Sequence, residues 1–386
     1  MRIGMHDVIV VGGGPAGSKA ATLMAKDLDI LVLEEHLSSG SPMQCAGLVS
    51  DDVVRMSGVR PDVLNRIFAA EVHFPGGGTV AVRSKNALAS LVDRKGLDMR
   101  MASKATDAGA EISYGDKYLG HSVSGGVVTV STSQSKYSSK LLVGADGHGS
   151  AVAASLGDNA PKEYLRGIQV DVKDKPEHDD TMTLRLGSDL APGFFTWEIP
   201  FGDCVRVGLC TSEDGVLPSD LLKTLLRRAG LQDKETVARY SGKVPLGGRR
   251  VTYGDNVLLI GDAAGQVKPI SAGGLFPAFR SAPILADTAI EAIRTGNTSR
   301  KDLARYEGGW KKELGREFFR GYRIRRSFVK LSDADLDRIC AVLGREDARN
   351  ILDDIEVDRP GNVANRIMRN PCIAMRLLPT LLKAII

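Results

Sequence analysis

Three groups of residues in this sequence have types and spacings that could do chemistry. The first is Gly12-Gly13-Gly14-Pro15-Ala16-Gly17, which follows the strand-like Asp7-Val8-Ile9-Val10-Val11 and opens a helix-like run from Ser18 to Ala25. Strand, turn and helix in that order set a pyrophosphate on the free N–H groups of a helix N-terminus. Gly12 permits the tight turn, Gly14 lets the backbone approach the phosphates, and Gly17 lets the helix pack on the strand; Pro15 and Ala16 belong to the same cradle. The second strand, Ile30-Leu31-Val32-Leu33, ends in Glu34, seventeen residues after Gly17, with Glu35 beside it. A carboxylate at that strand end accepts ribose hydroxyls. The second group is a loop, Gly40 to Gly47, that carries Cys45 and Ala46. A lone thiol between glycines is either an inert small residue or a reactive group. The third is Pro192-Gly193-Phe194-Phe195-Thr196-Trp197-Glu198-Ile199-Pro200. On a strand, Phe195, Trp197 and Ile199 share one face and form an apolar aromatic wall, for packing or for a long apolar ligand.

The elements that must position these groups read as an α/β chain. After the first βαβ unit, residues 71 to 83 alternate as short strands around Gly76-Gly77-Gly78 and predict a small sheet inserted near 70–85. Asn86 to Ala108 has the apolar spacing of a helix. Val127 to Ser131 and Lys140 to Val143 read as strands returning to the parallel sheet, which ends at Gly144-Ala145-Asp146-Gly147. From Gly167 to Leu209 the pattern is mostly strands and turns, which predicts an antiparallel sheet roofing a cavity. Val257 to Ile260 leads into Gly261-Asp262-Ala263-Ala264-Gly265, and from about Leu275 the chain is largely helical. The expected organisation is a discontinuous nucleotide-binding domain over 1–160 with 245–300, an antiparallel-sheet substrate domain over 161–244, and a helical region over 301–386.

The bulk properties exclude several classes. The balance of 51 basic and 47 acidic residues gives +4 over 386 residues, too little to argue for nucleic acid. Five cysteines form no close CxxC pair, and six scattered histidines have no ligand spacing, so neither a disulfide framework nor a metal site is expected. No signal peptide opens the sequence and no run reaches the roughly 18 apolar residues that span a bilayer. The expected location is the cytoplasm, with peripheral contact to the cytoplasmic membrane as a further expectation. Lys311, Lys312, Arg316, Arg320, Arg323, Arg325 and Arg326, interleaved with Phe318, Phe319, Tyr322 and Phe328, form either a solvated amphipathic helix or a surface for anionic lipid. The stretch Cys372 to Ile386 is apolar and too short to span; it reads equally as an interfacial or cavity-covering helix and as packing on the body.

The separated motifs together resemble the glutathione-reductase-type FAD fold of the aromatic hydroxylases, and within it the geranylgeranyl reductase family. The resemblance spans nearly the whole chain and implies FAD as cofactor. It gives Asp146 and Gly147 a place at the cofactor, and makes Asp262, after Gly261, the ligand of a ribityl hydroxyl; a helix-capping carboxylate is the other reading. Pro269 to Gly274 precede an apolar helix, so the N–H groups at Gly273 and Gly274 would face the flavin N1 and O2 edge. Asp93-Arg94 with Asp98 is similar to the family's DRxxFDxxL helix, with Leu97 in place of Phe. There Arg94 would approach the FAD phosphates, although an ordinary surface ion pair has the same spacing. The Cys45 loop is similar to the family loop beside the isoalloxazine, and the Trp197 strand to PxxYxWxFP, with Phe195 replacing Tyr and Ile199 replacing Phe.

The resemblance therefore implies an FAD-dependent reductase that saturates isolated double bonds of geranylgeranyl chains on archaeal-type ether lipids. Cys45, Phe195 and Trp197 stand at its catalytic site, and Phe195, Trp197 and Ile199 line the substrate. No second GxGxxG follows a later strand, so electrons would come from ferredoxin or from transiently bound NAD(P)H. Two rivals stay open: a flavin monooxygenase or halogenase of an aromatic substrate, since Phe195 to Pro200 also resembles WxWxIP, and a noncatalytic isoprenoid carrier. Intact Gly12, Gly14, Gly17, Glu34 and Asp262 weigh against the carrier.

Overall fold

In the computed structural model, residues 4–352, 358, 366, 367 and 369–377 are described. The chain begins β1 (His6–Val11), α1 (Pro15–Met24), β2 (Ile30–Glu34), β3 (Leu48–Val49), α2 (Asp51–Ser57), β4 (Val63–Ile67), β5 (Ala69–His73), β6 (Thr79–Arg83), β7 (Ala89–Val92) and α3 (Arg94–Asp107). It continues through β8 (Glu111–Tyr114), β9 (Tyr118–Ser124), β10 (Val127–Thr132), β11 (Lys136–Gly144), α4 (Ala151–Ala154), β12 (Glu163–Lys173), β13 (Thr181–Arg185), β14 (Thr196–Phe201) and β15 (Cys204–Thr211). Then follow α5 (Pro218–Arg228), β16 (Thr236–Leu246), β17 (Tyr253–Gly254), β18 (Val257–Leu259), α6 (Leu275–Thr295), α7 (Arg300–Phe328) and α8 (Asp333–Leu343).

The first sheet runs β17-β18-β11-β1-β2-β8, and β18, β11, β1, β2 and β8 are parallel neighbours. Its strands are apolar at nearly every position because both faces are covered, as parallel sheets require. Val8, Val10, Ile30, Val32, Leu141 and Val143 pack on one side against α1, α3, α6 and α7. Ile9, Val11, Leu31, Leu33 and Leu142 pack on the other against β10 and α4. The expected return of residues 127–131 to the parallel sheet is corrected: β10 runs antiparallel between β9 and β11.

A seven-stranded sheet, β16-β12-β15-β14-β13-β5-β6, forms the second layer. Here the period of two decides everything. Ile168, Val170, Val172, Val205, Val207 and Leu209 point to one face and bury Leu221, Leu222 and Leu225 of α5. Gly167, Gln169, Arg206, Gly208 and Cys210, at alternate positions, are left for the opposite face. The hairpin near 70–85 is not a separate inserted sheet; it extends this one, with β5 parallel to β13. The separate small sheet is β3-β7-β4.

The helix expected over 86–108 is also corrected, since Ala89–Val92 is strand and the helix starts at Arg94. Asp93 sets that boundary: its backbone is extended and its carboxylate accepts the Gly96 N–H at 3.1 Å. The C-terminal region is helical where described. Residues 371–377 are helical, and Ile373 and Leu377 pack with Ala348 and Ile351, on the body of the protein. Residues 378–386 of the apolar stretch lie outside the described residues. Among the described residues no helix is long and apolar enough to cross a membrane.

One buried hydrogen-bond chain joins α7 to the first sheet. Gln266 donates to the Tyr306 hydroxyl at 3.0 Å and accepts from the Gly261 N–H at 2.9 Å, and Tyr306 is fully buried. Tyr306→Phe, which leaves the Gln266 amide without its acceptor, is expected to cost about 1 kcal/mol. Tyr306→Ala adds a cavity and is expected to cost about 3–5 kcal/mol. Denaturant midpoints of the two variants check this order, and equal losses would contradict it.

Candidate functional site

The turn after β1 has the shape that its glycines dictate. Gly12 has φ +105°, and a Cβ there would lie 2.4 Å from the Ala145 carbonyl oxygen. A Cβ on Gly17 would lie 2.0 Å from the Gly12 carbonyl oxygen. These two glycines therefore let the loop, α1 and the end of β11 approach one another. Gly14 differs: a Cβ there would meet nothing within 4 Å, and the residue opens onto empty space with Pro15 and Ala16. The first turn of α1 begins at Pro15 and has no side-chain cap. Glu34 lies behind the turn, its Oε2 accepting the Gly13 N–H at 2.7 Å and its Oε1 the His36 N–H at 2.9 Å. Glu35, beside it, does not line this cavity and pairs with Lys117 at 2.9 Å.

From Gly14 a cavity of about 650 Å³ runs to the polar face of the seven-stranded sheet. Its walls bring together Gly14, Pro15, Ala16, Cys45, Ala46, Arg94, Gly147, Phe195, Trp197, Ile199, Gly261, Asp262, Gly273 and Gly274, all singled out from the sequence. Gly12, Gly17, Glu34 and Asp146 stand behind the wall. The Asp146 carboxylate accepts the Ser150 hydroxyl at 2.6 Å and the Val152 N–H at 3.1 Å, capping α4.

The wall beside Ala16 is built around Asp262, in the turn after β18. Among the described residues nothing hydrogen-bonds to its carboxylate, which faces the cavity. Burial pushes its pKa up to about 6, against the pull of Arg94 and Arg249. Beside it, Gly274 begins α6, a 21-residue helix with no side-chain cap, so its positive end also faces the cavity. An unpartnered carboxylate, an uncapped helix start and the open cradle at Gly14 fit a long dinucleotide. Its hydroxyls would donate to Asp262, its phosphates would meet α1, and an electron-rich ring edge would meet α6.

Arg94 is buried, not a surface ion pair. It makes three 3.2 Å hydrogen bonds to Asp98, and the Cys45 side chain lies against it. Burial opposes its charge, yet the Cys45 sulfur and the Asp98 carboxylate hold its pKa above the ordinary guanidinium value. Cys210, a second thiol on the wall, is pushed up to about 12 by burial and stays protonated.

Sequence reasoning missed the residues that hold the Cys45 loop. Gln169 donates to the Cys45 carbonyl at 2.9 Å, and Arg206 donates to the Ala46 carbonyl at 2.8 Å. Arg206 is itself fixed by bidentate bonds to Asp171 at 2.7 and 2.8 Å, all within the sheet's buried face. The signal was present: polar residues alternate with buried Val, Ile and Leu at inward strand positions, where side chains need partners. Trp197 lies flat over Gly208, where a Cβ would meet its ring at 2.6 Å, and Gly208 is paired with Gln169 on its other side. Lys268, also missed, pairs with Asp358 at 2.7 Å on the cavity wall. Arg325, expected in the basic cluster, instead turns inward to Glu163 and the Gly193 carbonyl. Among the described residues no cluster could hold a metal ion.

The sequence model of the family described as lycopene cyclase protein matches residues 7–343. A digeranylgeranylglycerophospholipid reductase of Methanothermobacter thermautotrophicus is 33% identical over 365 residues, covering 90% of this chain and 94% of that one. A digeranylgeranylglycerophospholipid reductase of Methanocaldococcus jannaschii is 28% identical, covering 92% and 93%. Among solved structures, a geranylgeranyl bacteriochlorophyll reductase-like protein of Thermoplasma acidophilum superposes with TM-score 0.85 at 23% identity, over 97% of this chain and 99% of that one. A halogenase in complex with FAD gives TM-score 0.70 at 16% identity, over 95% and 86%. These likenesses give the chain the aromatic-hydroxylase-type fold.

Two outcomes follow from this geometry. Gln169→Leu, with Cys204 and Cys372 replaced by serine, is expected to raise the rate of Cys45 alkylation several-fold; an unchanged rate would remove Gln169 from the loop clamp. For Asp262, the ordinary value is 3.8 and the folded value about 6. Between them the native state keeps a proton that the unfolded chain releases, so stability falls as pH rises through that window. In the ligand-free protein Asp262→Asn should melt higher than wild type at pH 7 and close to it at pH 4. Equal melting temperatures at pH 7 would contradict the burial of this carboxylate.

Proposed function

The chain belongs to the family described as lycopene cyclase protein and groups with the geranylgeranyl reductases; from this membership and the site's chemistry we propose that it is an FAD-dependent reductase. Its substrate is a geranylgeranyl chain on an archaeal-type ether phospholipid, whose isolated double bonds it saturates. The observation that carries the reading is a cavity with two kinds of lining: Asp262 and the start of α6, which suit a polar cofactor, and Phe195, Trp197, Ile199, Met182 and Leu184, which suit a hydrocarbon. A polyprenyl chain offers almost no hydrogen bonds, so an apolar aromatic wall is what can hold it.

Saturating one C=C bond adds a hydride to one carbon and a proton to the other. Bound FAD, in its reduced form, would supply the hydride, and Gly14 to Gly17, Asp262, Gly273 and Gly274 would hold it. The other duties fall to this chain's side chains. Phe195, Trp197 and Ile199 exclude water and fix the alkene, and the ring faces of Trp197 and Phe195 tolerate positive charge developing at the tertiary carbon. Cys45 is our candidate for presenting the proton. Gln169 and Arg206 fix its loop from the roof, and Arg94 lies against its sulfur from below. Ferredoxin or transiently bound NAD(P)H would deliver the electrons.

The monooxygenase or halogenase reading has likeness of fold behind it, at 15–18% identity among the halogenases and related flavoproteins. The reductase relatives match at about twice that identity over nearly the whole chain, which favours reduction. Dithionite-reduced, FAD-loaded protein incubated without oxygen with a geranylgeranylated glycerophospholipid is expected to add the mass of two hydrogens per double bond. Trp197→Ala should keep its flavin and lose at least tenfold in rate. No mass gain with wild type would sink the reductase proposal, and loss of flavin in the variant would make Trp197 structural.

A further inference from the structure

We infer that the outward face of α7 is an electrostatic docking surface for an anionic lipid bilayer. Lys312, Arg316, Arg320, Arg323 and Arg326 are exposed, and none of them has a carboxylate partner among the described residues. At 3.6 residues per turn all five fall within a sector of about 120°, along about 21 Å of helix. Phe319 lies inside that sector and is 65% exposed, with the Arg323 guanidinium 5.8 Å from its ring centroid.

The rest of α7 shows what an ordinary solvated face looks like. Nearer its start, cations are interleaved with acids: Arg305 pairs with Glu291, and Lys311 with Glu307 at 2.5 Å. In the second half the acids are turned elsewhere. Glu313 pairs with Arg280, and Glu317 acts on Lys268 beneath the helix. Five uncompensated charges therefore stand on one stripe of a chain whose net charge is +4. Such a field repels a second copy and attracts a polyanionic surface.

The exposed phenylalanine selects among polyanions. A basic stripe alone would serve any array of phosphates, but an aromatic ring standing out of its centre gains by entering the headgroup and acyl boundary of a bilayer. The inner face of the same helix packs on segments that adjoin the cavity. Gly321 lies against Pro269, and Arg325 donates to the Gly193 carbonyl at 3.0 Å and sits 5.6 Å from the Phe194 ring centroid. A bilayer held on this face would lie one helix diameter, about 10 Å, from that wall. The inference uses the helix alone and not the reductase reading, so either can fail without the other.

Co-sedimentation of the full chain with vesicles tests it. Wild type is expected to bind vesicles containing phosphatidylglycerol, to ignore pure phosphatidylcholine, and to be released by high salt. At about 1 kcal/mol per charge, Arg316→Gln, Arg320→Gln and Arg323→Gln together should weaken binding roughly 100-fold. Phe319→Ser should weaken it several-fold, with circular dichroism of all variants unchanged. Equal binding to neutral vesicles, or undiminished binding by the triple variant, would overturn the proposal. So would binding to a DNA duplex as tight as to vesicles, combined with no effect of Phe319→Ser, since the stripe would then belong to a nucleic acid.

Discussion

The site depends on one buried contact, the Arg206 guanidinium held between Asp171 and the Ala46 carbonyl. Everything else that meets at the cavity belongs to a separate piece of chain, and this contact joins the seven-stranded sheet to the loop that carries Cys45. Two parallel bonds to Asp171 fix the plane of the guanidinium, and a third N–H is aimed at the Ala46 carbonyl. The pair is almost wholly removed from water, and a charge in that position is tolerated only when it is well paired and hydrogen-bonded. Gly47 shows how closely the parts fit: a Cβ there would lie 3.2 Å from Arg206 and 2.9 Å from the Val92 carbonyl. Removing either partner of the pair would leave a lone buried charge, which typically costs 3–5 kcal/mol, or about a third of a domain's stability.

The two kinds of lining in the cavity solve opposite problems. At Asp262 a carboxylate faces the cavity with no hydrogen-bond partner among the described residues, and burial raises its pKa to about 6. Such unsatisfied groups are rare in native structures and concentrate where a ligand completes them. Around Trp197 the lining includes a group of apolar side chains, Phe194, Phe195, Ile199, Met182 and Leu184. The indole N–H and the Gln169 side-chain carbonyl oxygen are buried there without a partner among the described residues, flanking Gly208 on the same face of the sheet. One ligand cannot suit both linings unless it is polar where it meets Asp262 and adjoins an apolar second molecule where that molecule meets Trp197. That division is the physical reason for reading a cofactor and a hydrocarbon substrate in a single cavity.

What could be read from the sequence followed from locality. Gly12, Gly14 and Gly17 act within a few residues of one another, and the alternation of Val, Ile and Leu in β1, β2 and β11 is written in consecutive positions. The roles of Asp93 as a helix cap and of Asp146 as the cap of α4 were equally local, yet Asp146 was given to the cofactor because its neighbours in sequence matched a motif. The hairpin at 69–83 could not be assigned to its sheet, since its partner β13 lies about a hundred residues downstream and the pairing leaves no local trace.

The Cys45 clamp is the most instructive gap. Gln169 and Arg206 stand 124 and 160 residues from the carbonyls they bind, and no spacing rule relates them. Their strands nevertheless carried a warning. In β12 and β15 the valines, isoleucine and leucine at alternate positions bury one face against α5, so Gln169, Asp171 and Arg206 had to lie on the other. A sheet exposed to water on that face would favour short or flexible polar residues with no fixed partners. A glutamine, an aspartate and an arginine paired in register across adjacent strands, with a glycine between Gln169 and Trp197, instead describe a buried polar layer with a gap cut in it. A face of that composition has to be covered by backbone that accepts hydrogen bonds, and the only economical source is a loop with free carbonyls. The Gly40–Gly47 loop is such a segment, so the roof and the loop specify each other even though neither names the other in sequence.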